Sequence, residues 1–180
     1  MSRAPSSDSI TTGLNLKDTV VDSLGFAREG RELAGQLAVA DLPRLQDLVK
    51  EYSGRLQVKL QADKDLQGRP WLHLHVSGTL LLECQRCLEG LVHPLAIEAH
   101  MRLIAPGDPW PEDELEAGSE VEADDAIEAS SVLSVRDLVE EEIILGLPYA
   151  PTHDVCFAPG ATEANTLASP FAGLAVLKKH

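Results

Sequence analysis

Trp71-Leu-His-Leu-His-Val-Ser-Gly-Thr-Leu-Leu-Leu-Glu83 is the stretch that decides the fold. Leu72, Leu74, Val76, Leu80 and Leu82 alternate with Trp71, His73, His75, Ser77, Thr79 and Glu83. Apolar residues at every second position describe a strand with one buried face. Two neighbouring stretches share the pattern. Leu56, Val58 and Leu60 interleave with Arg55, Gln57, Lys59 and Gln61, and Leu95, Ile97, Ala99, Met101 and Leu103 interleave with Ala96, Glu98, His100 and Arg102. Three such segments predict antiparallel strands packed on a core along one side only. Asp63, Asp65 and Gly68-Arg69-Pro70 supply turn chemistry between the first two.

Upstream, Leu33, Gly35, Leu37 and Val39 allow a short strand over residues 30–38. Asp41 can cap a helix over 42–52, with Pro43 in its first turn and Leu42, Leu45, Leu48, Val49 and Tyr52 on one face. Downstream, Val121, Ala123 and Ile127 permit a weak edge strand within 120–129. Ser134 then opens a helix over 135–146, whose buried face is Leu138, Val139, Ile143 and Ile144 and whose Glu140, Glu141 and Glu142 face outward at least in part. The expected fold is α+β: an antiparallel sheet, open or curled into a small barrel, with two or three packed helices. The expected organisation is a flexible segment over 1–13, one domain over 14–156 with an acidic loop at 106–119, and a linker with an amphipathic end over 157–180.

In that last segment Ser169 and Pro170 can start a helix, and Phe171, Leu174 and Leu177 recur on one side, followed by Lys178 and Lys179. A helix this short is marginal alone in water and needs a surface to cover. Its own domain is one such surface and a partner protein the other; the second makes these five residues a docking element.

Composition limits the function. Apolar residues make up 44% and aromatic residues 4%, which suits a soluble domain with an aliphatic core. No apolar run is long enough to span a bilayer and the amino terminus lacks a secretory pattern, so a cytoplasmic protein without a membrane role is expected. The net charge of −14 is concentrated: between Asp108 and Glu142 there are 14 acidic residues and one basic residue, Arg136. An autonomous nucleic-acid binder normally carries the opposite charge. The acidic run reads as solvated loop and helix face, or as a docking site for a basic partner through residues 108–142. Arg55, Lys59 and Arg69 offer the sheet a little local positive charge, and His73, His75 and His100 read as solvated surface histidines.

Cys84-Gln-Arg-Cys87 is the short motif with direct chemical meaning, placed where the strand 71–83 must turn back. Two thiolates spaced this way can grip one tetrahedral ion, and His153 and Cys156 offer the two further ligands of a closed, structural zinc site. Three buried thiols without metal, and a thiol-redox pair, are the other readings; the redox motif belongs at a helix start in an α/β pattern. No phosphate loop, nucleophile elbow or HExxH motif occurs, and neither an enzymatic activity nor a small-molecule substrate is expected.

Four segments in order carry a family resemblance. Leu81-Leu-Glu-Cys-Gln-Arg-Cys-Leu88, Leu138-Val-Glu-Glu-Glu-Ile-Ile-Leu-Gly-Leu-Pro148, Pro151-Thr-His-Asp-Val-Cys156 and Ser169-Pro-Phe-Ala-Gly-Leu-Ala-Val-Leu-Lys178 resemble the successive signatures of the YceD family, also called the DUF177 family. The resemblance implies a bacterial, non-enzymatic factor in synthesis, processing or stability of 23S ribosomal RNA. Its partners would be 23S RNA, its precursor, or large-subunit assembly proteins. The sequence departs from family members that have two cysteine pairs by carrying His153 and Cys156 in place of the second pair. The acidic composition raises an alternative, an escort for a basic large-subunit protein.

Overall fold

The computed structural model describes residues 14–110 and 125–159. Strands β1 (Val20–Val21), β2 (Glu32–Ala38), β3 (Arg55–Lys64), β4 (Pro70–Glu83), β5 (Gly90–Ile104), β6 (Asp125–Glu128) and β7 (Leu133–Ser134) accompany helices α1 (Ser23–Glu29) and α2 (Val135–Gly146). A five-stranded sheet runs in the order β2-β3-β4-β5-β6, and β1 pairs with β7 in a small second sheet. The fold class is the expected α+β.

The alternation read from the sequence becomes two faces. Leu56, Val58, Leu60, Leu72, Leu74, Val76, Leu80, Leu82, Leu95, Met101 and Leu103 are buried on one of them. Phe26 and Ala27 of α1 and Val135, Val139 and Ile143 of α2 belong to the same core. The β3–β4 and β4–β5 ladders are antiparallel, whereas β6 lies parallel to β5, pairing Met101 with Asp125 and Ile104 with Glu128. A parallel neighbour requires a long crossover, which residues 105–124 have the length to provide. The sheet does not close into a barrel: its end strands β2 and β6 do not pair with each other. The outer side of β2 meets residues 14–16, with Leu16 N–H donating to the Gln36 carbonyl at 3.0 Å and Gln36 N–H to the Leu14 carbonyl at 2.7 Å. Gly35 permits this approach, since a Cβ there would lie 2.4 Å from the Leu14 carbonyl oxygen.

Helix α2 occupies the range read from the sequence. Ser134 accepts the Asp137 N–H at 3.3 Å as its cap. The expected helix over 42–52 is not formed. In its place stand 3₁₀ turns at Val39–Asp41 and Pro43–Leu45, after which Val49 bridges Leu82. Leu42, Leu45 and Val49 are buried as the spacing requires, but Leu48 and Tyr52 are exposed. Residues three apart share a side in a 3₁₀ turn as in an α-helix, so spacing alone does not separate the two. Two partners outside the segment decide the outcome. The paired part of β3 ends opposite Ser77, and Lys50 N–H donates to the Leu81 carbonyl at 2.6 Å on the stretch of β4 beyond it. Arg44 N–H goes to the Glu140 carboxylate at 2.6 Å instead of to a helical carbonyl.

Helix α1 has no counterpart in the sequence reading. It is seven residues long, and Gly30 ends it at φ 59° with its N–H turned back to Ala27 and Phe26. Buried Ser23 ties its start to Ser130: the Ser23 N–H and hydroxyl both donate to the Ser130 carbonyl, and Ser130 N–H donates to the Ser23 hydroxyl. Glu140 also departs from expectation. It is 2% exposed, whereas the sequence suggests an outward carboxylate.

Candidate metal centre at the β4–β5 turn

Strand β4 delivers Cys84 and Cys87 into the tight turn that leads to β5. Cys84 N–H donates to the Glu89 carbonyl and Leu88 N–H to the Cys84 carbonyl, both at 2.9 Å. Leu88 completes the reversal at φ 63°, a left-handed conformation that side chains other than glycine rarely adopt. Lys50 braces the turn by donating to the Leu88 carbonyl and pairing with Glu83 at 3.6 Å.

Once α2 has ended, residues 151–156 return to this turn. Gln85 N–H donates to the Pro151 carbonyl at 2.8 Å, and Arg86 reaches the Cys156 carbonyl at 3.5 Å. The return brings His153 and Cys156 to the two cysteines, and the ligand atoms of all four residues lie within 4.8 Å of one another. Cys84 Sγ is 3.7 Å from Cys156 Sγ, and Cys87 Sγ is 3.4 Å from His153 Nδ1. A tetrahedral ion with sulfur at about 2.3 Å and nitrogen at about 2.0–2.1 Å sets sulfur–sulfur edges of about 3.8 Å and sulfur–nitrogen edges of about 3.6 Å. The donor set fits such an ion in kind, and these two edges match its spacing.

The surroundings set the protonation states. His153 Nε2 lies 3.2 Å from the Gly90 carbonyl, an acceptor that fixes its proton there and leaves the Nδ1 lone pair facing Cys87. Burial raises the Cys84 thiol. The opposing N–H groups of Cys87, His153 and Arg86, with the Cys87 thiol, outweigh burial and draw Cys84 down to about 5. Cys156 moves up, through burial and through the neighbouring sulfurs of Cys84 and Cys87. These shifts favour negative charge on Cys84 over Cys156. Because the CxxC joins two antiparallel strands and opens no helix, it lacks the setting of a thiol-redox motif.

The other candidates are placed less completely. Phe171, Leu174, Leu177, Lys178 and Lys179 lie outside the described residues, as do residues 111–124 of the acidic stretch. Lys59 pairs with Glu32 at 3.3 Å and Arg69 with Asp65, so the expected positive charge of the sheet is largely compensated. His73 and His100 do lie on the outer face, but in contact with each other, with Nδ1 atoms 3.3 Å apart. That contact follows from the strand register, which the sequence alone leaves undetermined. No helix among the described residues is long and apolar enough to cross a membrane.

Fold and cluster together define an α+β protein whose sheet gathers three cysteines and a histidine at one turn. The family model described as large ribosomal RNA subunit accumulation protein YceD matches residues 72–178, more than half of the chain, and the chain belongs to that family. The match contains the CxxC turn, α2 and the returning segment. No curated protein and no solved structure gave a match.

Proposed function

We propose that the chain acts without catalysis as a biogenesis factor of the large ribosomal subunit, in synthesis, processing or stability of 23S ribosomal RNA. The observation that carries this is the family match over residues 72–178. The site chemistry supports it. Four protein ligands around one ion leave no position for a substrate, so the proposed occupant of Cys84, Cys87, His153 and Cys156 is a structural zinc ion. Held there, zinc would cross-link the β4–β5 turn to residues 151–156 and stiffen one end of the domain.

Depletion of the protein in its host should lower 23S RNA relative to 16S RNA, with restoration by the wild-type chain. Unchanged 23S RNA on depletion would reject the role. Metal analysis of protein purified without chelator should find one zinc per chain, lost in Cys84→Ser; metal-free wild-type protein would reject the zinc centre and leave the RNA role standing.

The charge favours a second reading of how the protein acts. With 14 acidic residues between Asp108 and Glu142, direct capture of bare RNA is electrostatically disfavoured, and an escort for a basic large-subunit protein fits better. Affinity capture before and after nuclease treatment separates the two. A basic ribosomal protein retained after nuclease supports the escort, whereas RNA bound with an affinity falling steeply as salt rises supports direct contact.

A further inference from the structure

The outer face of the sheet brings histidines together by strand register. His73 of β4 stands directly opposite His100 of β5, and the next pair along is His75 opposite Glu98. The two rings of the first pair meet edge to face at 4.7 Å between centroids. Their Nδ1 atoms are 3.3 Å apart, and the other nitrogen of His73, Nε2, lies 3.0 Å from an Asp63 carboxylate oxygen. Since a carboxylate accepts, it holds the His73 proton on Nε2 and leaves the Nδ1 lone pair turned toward His100. One ion at about 2.0–2.1 Å from each of two nitrogens, at a tetrahedral angle, requires a nitrogen–nitrogen separation of about 3.3–3.4 Å. The pair has that separation before any ion arrives.

We propose that His73 and His100, oriented by Asp63, form a second metal site on the open face of the sheet, for exchangeable divalent ions of the zinc class, which accept tetrahedral coordination. Paired imidazoles select these ions over magnesium and calcium, which prefer all-oxygen shells. Only two ligands come from the protein, and His73 keeps 31% of its side-chain exposure, so water fills the remaining positions and the ion exchanges freely. His75, 3.7 Å from Glu98, lies one pleat along the same face. The site shares no residue with the cysteine centre and rests on neither the zinc nor the RNA reading.

Cobalt(II), a paramagnetic ion that takes tetrahedral sites as zinc does, is the probe, added to the full chain already given one equivalent of zinc. Substoichiometric Co(II) should broaden the NMR ring signals of His73 and His100 selectively, leaving those of His93 and His153 sharp. His100→Gln and His73→Gln should each weaken cobalt binding at least tenfold with an unchanged melting temperature, and Asp63→Asn should weaken it about tenfold through loss of orientation. Cobalt that broadens other histidines first, or that binds His100→Gln as tightly as wild type, overturns the proposal. A chain that takes no zinc at its cysteines would still give the same histidine-variant comparison, so failure of one site is distinguishable from failure of the other.

Discussion

Glu140 should be a determinant of stability through a single buried acceptor. Its carboxylate takes the Arg44 N–H at 2.6 Å, and the residue is 2% exposed. This contact ties α2 to the 3₁₀ turn at Pro43–Leu45, where no backbone carbonyl is placed to serve Arg44. A hydrogen bond to a charged group contributes roughly 1.5–3 kcal/mol, and a buried N–H left without a partner costs about 1–3 kcal/mol. In Glu140→Leu the donor is orphaned, while the cost of burying a carboxylate disappears and offsets part of the loss. The net expectation is a loss of about 2 kcal/mol, or about 4–8 °C in melting temperature for a chain of this size. Glu140→Gln keeps an oxygen acceptor and should lose about half as much, since neutral hydrogen bonds are roughly half as strong as charge-assisted ones. Thermal and urea unfolding measure both. Amide exchange at Arg44 gives the mechanism directly, because it should accelerate in Glu140→Leu and stay slow in Glu140→Gln. Equal stability of the two variants, with Arg44 still protected in the leucine protein, would refute the reasoning.

Further predictions concern the turns and the thiols. Leu88 sits at φ 63°, so Leu88→Gly should be more stable than Leu88→Ala by about 1 kcal/mol, read from denaturation midpoints; equal stabilities would mean that the turn relaxes elsewhere. Burial raises the Asp65 carboxyl, but the N–H groups of Arg69 and Gln67, the Arg69 guanidinium and the Trp71 indole overcome it and hold the group at about 2. A depressed carboxyl stabilises the fold fully above its unfolded value of about 3.9 and ceases to do so as pH falls through the folded value. Wild type should therefore lose stability relative to Asp65→Asn between about pH 4 and the folded value of about 2, and parallel acid-unfolding curves would contradict this. In chelator-treated protein the thiolate absorbance of one cysteine should persist down to about pH 5 and vanish in Cys84→Ser. The depressed Cys84 stabilises the metal-free fold above the unfolded thiol value of about 8.5, and that contribution is lost as pH falls through the folded value.

Some of this protein is settled by local pattern. The period-two runs at 56–60, 72–82 and 95–103 suffice to specify three strands and their buried faces, because a pleated strand sends successive side chains to opposite sides. Ser134, Gly146 and the apolar residues between them likewise specify α2, since cap and amphipathic stripe lie within one short window. The cysteine spacing indicates a turn, and a histidine and a cysteine spaced alike indicate where its partners come from. Everything that depends on distant neighbours was decided by tertiary structure. Residues 42–52 have helical spacing, but the side of β4 that β3 leaves uncovered beyond Ser77 and the Glu140 carboxylate draw the backbone away from helix. The same contact turns a glutamate of a charged triplet into a buried acceptor. Helix α1 is too short to show a period and is held by Ser23 against Ser130, 107 positions away. Whether the sheet closes, and which histidine faces which, depends on strand order and register, where a shift of one residue exchanges the two faces of a strand. These outcomes rest on hydrogen bonds and packing between segments far apart in the chain, which local propensity does not encode.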